Sequence, residues 1–299
     1  MRAHVRRFAL ATLLAATAGG IAFAATRTGE EARASTSAPA VDWALAPGTS
    51  PAPNRVAPRT APLATLSPNA DRSLASLGGD WGVAVIDPRE STRYEANAEQ
   101  YFPLASVTKV VILVTLLGQA QDAHRALTAA ERDMATRMIT VSDNDAAIAL
   151  WERIGGAAGM QAYLDRTGLQ GIRPAPPDHS WGDTEATPRG IATLLVRLSG
   201  GELLDKTHRA FALALMTAVT EEQRWGASAA FAGSSSIAIK NGWYPAEDGW
   251  RVASAAFAPD ARGRPLVVVV LAEHQPDFES AVAAIEQVAG AIGASAAGS

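Results

Sequence analysis

The hydrophobic positions of the chain form β-branched runs at 81–96 and again after residue 236, with helical repeats between them. The run WGVAVID (81–87) ends at Pro88 and is followed by TRYEA (92–96), a pattern that predicts a β-hairpin. Later runs predict three more strands and a closing helix: SIAIK (236–240), RVASAAFA (251–258), PLVVVVLAE (265–273) and a helix over about 278–292.

The segment between these strands has the spacing of helices. Ser106 to Leu117 is β-branched, but twelve residues ending at Gly118 favour a buried helix over a strand. Thr128 stands three residues before Glu131 in LTAAERDMATRMI, which predicts a capping box at a helix start. Further helices are predicted over 145–154, 159–166, 188–198 and 206–219.

The order of strands, helices, strands and a final helix predicts an α+β fold. An antiparallel sheet with flanking helices is built from both chain ends, and an all-α domain is inserted between them. The folded domain is expected over 68–299, with its α/β part at about 68–105 and 232–299 and its helical part at about 106–231.

The residues before this domain predict export. Residues 1–24 combine a basic start, an apolar stretch and Ala22-Phe23-Ala24, which fits the cleavage site of a secretory signal peptide. An uncleaved anchor is the alternative, because about 17 apolar residues is the lower limit for crossing a bilayer. Residues 25–67 are rich in Ala, Pro, Thr and Ser, without apolar periodicity, and predict a flexible linker.

Composition narrows the class of function. With 299 residues, 48% of them hydrophobic, the chain can bury a large core, and a net charge of -4 argues against a nucleic-acid surface. The absence of cysteine excludes disulfides and a thiol nucleophile. The five histidines have no metal-ligand spacing, so neither a metal nor another cofactor is expected. We expect a monomer that acts on a small molecule or on cell-wall material.

Lysine is scarce, and one lysine stands in a chemically suggestive place. The chain has only Lys109, Lys206 and Lys240, whereas its other basic side chains are arginines. Unlike arginine, a desolvated lysine can lose its proton. In the helix predicted from Ser106, Lys109 lies one turn after the serine, where a neutral lysine can accept the proton of a nucleophilic hydroxyl.

Two later motifs supply other groups that a serine acyl-transfer site needs. Ser142-Asp143-Asn144 precedes a predicted helix, and Lys240-Asn241-Gly242 stands at the end of a predicted strand. Ser142 can relay a proton to a leaving nitrogen, Asn144 can hold a substrate amide, and Lys240 can polarise Ser142 and attract an anion. A helix cap and a strand-ending turn are the structural alternatives for the two motifs.

The three motifs in this order resemble the S-x-x-K, S-D-N and K-T-G set of class A β-lactamases and related penicillin-binding serine peptidases. The resemblance covers about 68–294 and implies the fold predicted above. It implies that the backbone N–H groups of Ser106 and of Trp243, the residue after Gly242, form the oxyanion hole. It also implies that Arg251 holds a substrate carboxylate, for which a solvated charge at a strand end is the alternative.

Three departures from that pattern limit what it implies. The loop at about 168–187 lacks the E-x-x-L-N glutamate that activates the deacylating water, and Asp178 is the best substitute base. In the same loop, Asp183 and Glu185 are expected to cap the following helix. Asn241 replaces the usual threonine or serine of the K-T-G motif. Its amide can still donate a hydrogen bond to a substrate carboxylate, but with a different reach and geometry from those of a hydroxyl. The shortened segment from Ser106 to Ser142 predicts a more open cleft.

These observations predict an exported serine hydrolase that forms an acyl-enzyme on Ser106. The substrate is a β-lactam, a peptidoglycan-derived peptide or another amide or ester. Two alternatives are a penicillin-binding D-alanyl peptidase or esterase with slow deacylation, and a wall-binding relative without catalysis. A Ser-His-Asp hydrolase is disfavoured because the chain has no G-x-S-x-G elbow.

Overall fold

The computed structural model describes residues 74, 78–88, 93–234, 236–260 and 262–298. The predicted signal peptide and linker lie outside the described residues. Within the described part of the chain, no helix is both long enough and apolar enough to span a membrane.

Five antiparallel strands form the main sheet in the order β2-β1-β8-β7-β6. Their bounds are β1 Asp80–Ile86, β2 Arg93–Ala96, β6 Ala238–Ala246, β7 Gly249–Pro259 and β8 Pro265–Gln275. Val267 to Leu271 in β8 are all fully buried. Successive strand residues point to opposite faces, so both faces of the sheet are covered at β8.

Helices cover this sheet and form the inserted part. The helix bounds are α1 Thr108–Asp122, α2 Ala129–Thr140, α3 Asn144–Arg153, α4 Gly156–Thr167, α5 Pro188–Gly200, α6 Lys206–Thr217 and α7 Phe278–Gly298. Helix α5 packs on β1 and β8, while α7 packs on β7 and β8. Helix α1 is buried along most of its length and contacts α2, α3, α4 and α6, so it forms the centre of the helical part.

A second, small sheet joins the long loop to the chain just before Ser106. Its strands are β3 Phe102–Pro103, β4 Ile172–Arg173 and β5 Glu185–Ala186, in the antiparallel order β3-β5-β4. The backbone N–H of Leu104 also donates to Thr184 O at 2.9 Å. These contacts fix the loop against the segment that carries the nucleophile.

The predicted α+β architecture is confirmed, and so is the hairpin of β1 and β2. The capping box is present, since Thr128 Oγ1 accepts from Glu131 N and the Glu131 carboxylate accepts from Thr128 N. The division of the domain into an α/β part and a helical part stays a prediction.

The predicted caps of α5 are wrong. Thr187 caps that helix, because its hydroxyl accepts from Gly190 N at 3.0 Å. Asp183 instead closes a 3₁₀ turn by accepting from Ser180 N, and Glu185 lies in β5.

Candidate active site

Ser106 lies in a short 3₁₀ turn, Ala105–Val107, that leads directly into α1. The preceding Ala105 has a left-handed backbone with φ of 47°, which turns the chain sharply at this point. Ser106 is half-buried, and its hydroxyl has no hydrogen-bond partner among the described residues. The sequence pattern placed Ser106 inside the helix, whereas the structure places it just before the helix begins.

Lys109 follows one turn later and is completely buried. Its Nζ donates to three oxygens, Ser142 O at 2.6 Å, Ser142 Oγ at 2.9 Å and Asn144 Oδ1 at 2.8 Å. Burial lowers the pKa of Lys109 to about 7, although the nearby carboxylate of Asp143 acts in the opposite direction. At neutral pH, a large fraction of this lysine is therefore neutral.

The predicted S-D-N motif forms the turn between α2 and α3. Ser142 has a left-handed backbone with φ of 59°, and this conformation presents both its carbonyl and its hydroxyl to Lys109. Asp143 caps α3 by accepting from Ala146 N at 2.9 Å and pairs with Arg137. The motif is therefore a helix cap as well as a part of the site.

Asn144, the first residue of α3, completes this turn. Lysine only donates hydrogen bonds, so the carboxamide oxygen is the atom that faces Lys109. The Asn144 Nδ2 group has no hydrogen-bond partner among the described residues. It is therefore available to a substrate carbonyl.

Lys240 reaches the same serine from β6. Its Nζ donates to Ser142 Oγ at 3.1 Å and to Asn241 O at 2.9 Å, and the residue is completely buried. Burial, and secondarily the positive charge of Lys109, lower the pKa of Lys240 to about 7. Two buried lysines thus converge on one hydroxyl, which has two acceptor lone pairs and one proton to donate.

Gly242 allows β6 to approach the Ser106 turn closely. A Cβ atom at this position would lie 2.5 Å from Ser106 N, 2.7 Å from Leu104 O and 2.9 Å from Val107 N. Only a residue without a side chain fits such a backbone-to-backbone contact. Trp243 follows directly, so its N–H lies one residue from the contact, where the resemblance predicts the second oxyanion donor.

The side chain of Trp243 packs away from this contact. Its ring lies 5.5 Å from that of Trp225 and 5.6 Å from that of Phe278, measured between centroids. These aromatic contacts hold the end of β6 against the start of α7.

The predicted role of Asn241 requires a correction. Its Nδ2 donates to Gln223 O and Trp225 O, both at 2.9 Å, and its Oδ1 accepts from Ser254 Oγ at 2.7 Å. The fully buried amide therefore has no free donor for a substrate carboxylate. Asn241 braces β6 from the face opposite Lys240 and Gly242, as the alternation of side chains along a strand requires.

Arg251 is also placed differently from the prediction. It lies at a β-bulge between Trp250 and Val252, and its guanidinium forms a bidentate ion pair with Asp248. Its side chain is only 12% exposed, so the alternative of a solvated strand-end charge does not hold either. The ion pair with Asp248 occupies the fork that a substrate carboxylate would need.

The loop at 168–187 brings an unexpected residue to the site. Asp178 is exposed in a turn and has no hydrogen bond or ion pair with another described residue. Its role as a deacylating base stays a prediction. Trp181 from the same loop places its ring centroid 4.8 Å from Lys109 Nζ. In the sequence of this loop, Trp181 is a single tryptophan flanked by polar residues, and this is the signal that sequence reasoning missed.

Sequence reasoning also missed two residues that support the site. Gln223 accepts from Asn241 through its carbonyl and donates through Nε2 to Val141 O at 3.3 Å, so it links β6 to the turn of Ser142. Ser254 donates to Asn241 and accepts from Ala227 N at 2.8 Å. Neither residue lies in a recognisable motif, so no sequence signal pointed to them.

One group of described residues has the composition of a metal site, at a distance along the chain from Ser106. Ligand atoms of Asp80, Glu273 and His274 lie within 4.8 Å of one another. His274 Nδ1 is 2.9 Å from Asp80 Oδ2, and His274 Nε2 is 2.9 Å from Asp248 Oδ2. Both ring nitrogens are engaged by carboxylates, so neither is free to coordinate an ion in this arrangement.

Comparison with known proteins gives concordant results. The chain is 25% identical over 233 residues to Beta-lactamase CARB-3 of Pseudomonas aeruginosa, which covers 67% of this chain and 75% of that protein. It is 26% identical over 165 residues to Beta-lactamase L2 of Stenotrophomonas maltophilia, which covers 45% of this chain and 54% of that protein.

Solved structures share the fold at lower identity. A beta-lactamase from Chitinophaga pinensis DSM 2588 is similar with a TM-score of 0.67 and 19% identity, over 76% of this chain and 96% of that one. A beta lactamase from Xanthomonas campestris pv. campestris gives a TM-score of 0.66 and 20% identity, over 77% of this chain and 97% of that one.

The family model described as "Beta-lactamase enzyme family" matches residues 65–131 and 126–295, which include all the predicted site residues. The site and the sheet order fit this match, and the chain belongs to the beta-lactamase enzyme family.

Proposed function

We propose that this chain is an exported serine hydrolase that forms an acyl-enzyme on Ser106 with a β-lactam or a related amide or ester. The observation that carries the proposal is the convergence of Lys109 and Lys240 on Ser142 Oγ, at 2.9 and 3.1 Å. When two lysines are buried beside each other, the protonated form of each is disfavoured. This arrangement lowers the stability of the folded protein, but it provides a neutral amine that can accept a proton.

The first chemical step transfers the proton of Ser106. Neutral Lys109 has a lone pair and two N–H groups, so one of its three present hydrogen bonds gives way to a bond accepted from the Ser106 hydroxyl. Lys109 takes that proton while Ser106 Oγ attacks the substrate carbonyl and forms the tetrahedral intermediate.

The second step breaks the C–N or C–O bond of the substrate. Ser142 donates its proton to the leaving atom and regains one from Lys109, which returns to the neutral form. Lys240 stays within 3.1 Å of Ser142 Oγ and stabilises negative charge there. The leaving group thus receives the proton of Ser142, Ser142 is reprotonated with the proton that Lys109 took from Ser106, and the acyl group ends on Ser106.

The backbone around Ser106 supports charge stabilisation in both steps. Gly242 approaches Ser106 N closely, and this contact supports an oxyanion hole formed by the N–H groups of Ser106 and of the next residue, Trp243. The free Nδ2 of Asn144 suits a substrate amide carbonyl beside Lys109.

A second candidate is a penicillin-binding acyl-enzyme former, such as a D-alanyl peptidase or esterase, with slow deacylation. The observation that favours it is Trp181, an aromatic ring 4.8 Å from Lys109 Nζ in the loop that lacks the E-x-x-L-N glutamate. A wall-binding relative without catalysis is disfavoured, because binding alone does not require buried, deprotonatable lysines.

The test combines turnover with covalent labelling. Full-length protein is incubated with a chromogenic cephalosporin and with benzylpenicillin, and intact mass is followed over time. Hydrolysis with a transient adduct supports the first candidate, and a lasting adduct on Ser106 supports the second. S199A is the matched control for S106A, because Ser199 is a half-buried serine in α5. If the wild type and S199A show neither hydrolysis nor labelling, both candidates are contradicted and the binding role is left.

A further inference from the structure

Trp181 is the aromatic residue that stands over Lys109. It lies in the 3₁₀ turn Trp181–Asp183, is partly buried and packs against the hydrophobic core. The turn is held by the capping box of Ser180 and Asp183 and is followed by the hydrogen bond between Thr184 O and Leu104 N. The indole is therefore fixed next to the Ser106 turn.

The hydrogen bonds and charge interactions of Lys109 involve four residues. Ser142 and Asn144 accept its three hydrogen bonds, Asp143 opposes the loss of its proton, and Lys240 approaches from β6. The Trp181 ring adds an apolar contact, with its centroid 4.8 Å from Lys109 Nζ. An apolar ring removes hydrating water from an ammonium group and so disfavours its charged form.

We propose that Trp181 is a positioning residue that excludes water from Lys109 Nζ. This exclusion keeps the lysine available as a base for Ser106, and it leaves no water molecule beside Lys109 that the lysine could activate to hydrolyse the acyl-enzyme. The proposal rests on the proposed function of Ser106 and Lys109, and it deepens that function by naming what sets the lifetime of the acyl-enzyme. The attraction between an ammonium and the ring face acts in the opposite direction. Burial is the largest cause of the lowered pKa of Lys109, ahead of the opposing charge of Asp143, and the Trp181 ring contributes to that burial.

The decisive measurement is independent of activity. Because the chain contains three lysines, ¹³Cε-lysine labelling gives three NMR titration curves, which K109R and K240R assign. In W181A, we expect the midpoint of Lys109 to rise by about one pH unit or more as water enters. Lys206, which is exposed, should not move. W151A serves as the matched control, since Trp151 is a half-buried tryptophan on α3.

The kinetic readout follows from the same shift. A rise of one unit lowers the neutral fraction of Lys109 at pH 7 about fivefold, while the fractions at pH 9 stay nearly equal. Acylation of W181A by benzylpenicillin should therefore slow about fivefold at pH 7 and recover at pH 9, and its acyl-enzyme should hydrolyse faster. W181F should resemble the wild type.

The outcomes separate this inference from the proposed function. An unchanged Lys109 midpoint in folded W181A overturns the role of Trp181, even if Ser106 is acylated normally. Uniform slowing at all pH values indicates a merely structural role and also overturns it. If the wild type is never acylated, the proposed function fails, yet a midpoint that rises in W181A and not in W151A still supports the exclusion of water by Trp181.

Discussion

Replacing Gly242 with alanine tests whether β6 must touch the Ser106 turn. The added Cβ would lie 2.5 Å from Ser106 N, about 0.9 Å short of ordinary contact at 3.4 Å. All three nearest atoms are backbone atoms, so no side chain can rotate away, and the strand or the turn must move. Overpacking of this kind costs about 1–3 kcal/mol. A displacement of about 1 Å at a catalytic group reduces rate by roughly 100-fold.

The assay compares G242A with G290A. A Cβ at Gly290 in α7 meets nothing within 4 Å, so the control tests the same chemical change without a clash. We expect G290A to keep the wild-type rate of Ser106 acylation and to gain about 0.5–1 kcal/mol of stability from helix propensity. We expect G242A to lose roughly 100-fold in acylation rate by intact-mass kinetics. A folded G242A with an acylation rate within threefold of wild type would refute the idea that acylation requires this contact.

Three further results are expected. K109R should remain folded but lose about 10²–10⁴-fold in acylation rate, because a guanidinium cannot accept the serine proton; intact-mass kinetics would contradict this by showing normal labelling. Lys109 and Lys240 each have a pKa near 7 instead of 10.5, so the unfolded chain binds more protons between these values and stability rises with pH there. Urea unfolding at pH 7, 8 and 9 should show the free energy of unfolding of the wild type rising relative to K109M/K240M by about 2–3 kcal/mol per pH unit for the two lysines together, and parallel curves would count against this. R251A should change acylation less than about threefold, because Arg251 pairs with Asp248, whereas a loss of about tenfold or more in kcat/KM would restore its predicted contact with a substrate carboxylate.

The strength of each local signal explains how much the sequence could predict. The run of valines in β8 and the Thr128–Glu131 capping box are dense, local patterns, and both elements were predicted within a few residues. The strands β3, β4 and β5 have two residues each and join distant segments, so no periodicity exists to detect them. The 3₁₀ turn at Ser106 runs directly into the helix that follows, so residue spacing does not separate the two, and the left-handed Ala105 marks the start of the turn.

The site was predicted best where the chemistry required one kind of residue. Lys109 and Lys240 stood out because the chain otherwise uses arginine, and the structure buries both beside Ser142. The predictions for Asn241 and Arg251 relied on motif position alone. The alternation of strand faces already excluded Lys240 and Asn241 from sharing one face. The contact of Trp181 with Lys109 depends on the path of a loop, which residue spacing does not determine.

The small sheet of β3, β4 and β5 has a mechanical consequence for the cleft. β5 pairs with β3 at Phe102–Pro103, and Thr184 O is bonded to Leu104, so the loop is tied to the chain two residues ahead of the nucleophile. This loop cannot swing open like a hinged flap without pulling the nucleophile out of alignment. Substrate must therefore enter and leave without displacement of this loop, and amide hydrogen exchange at Leu104 should be as slow as in the main sheet.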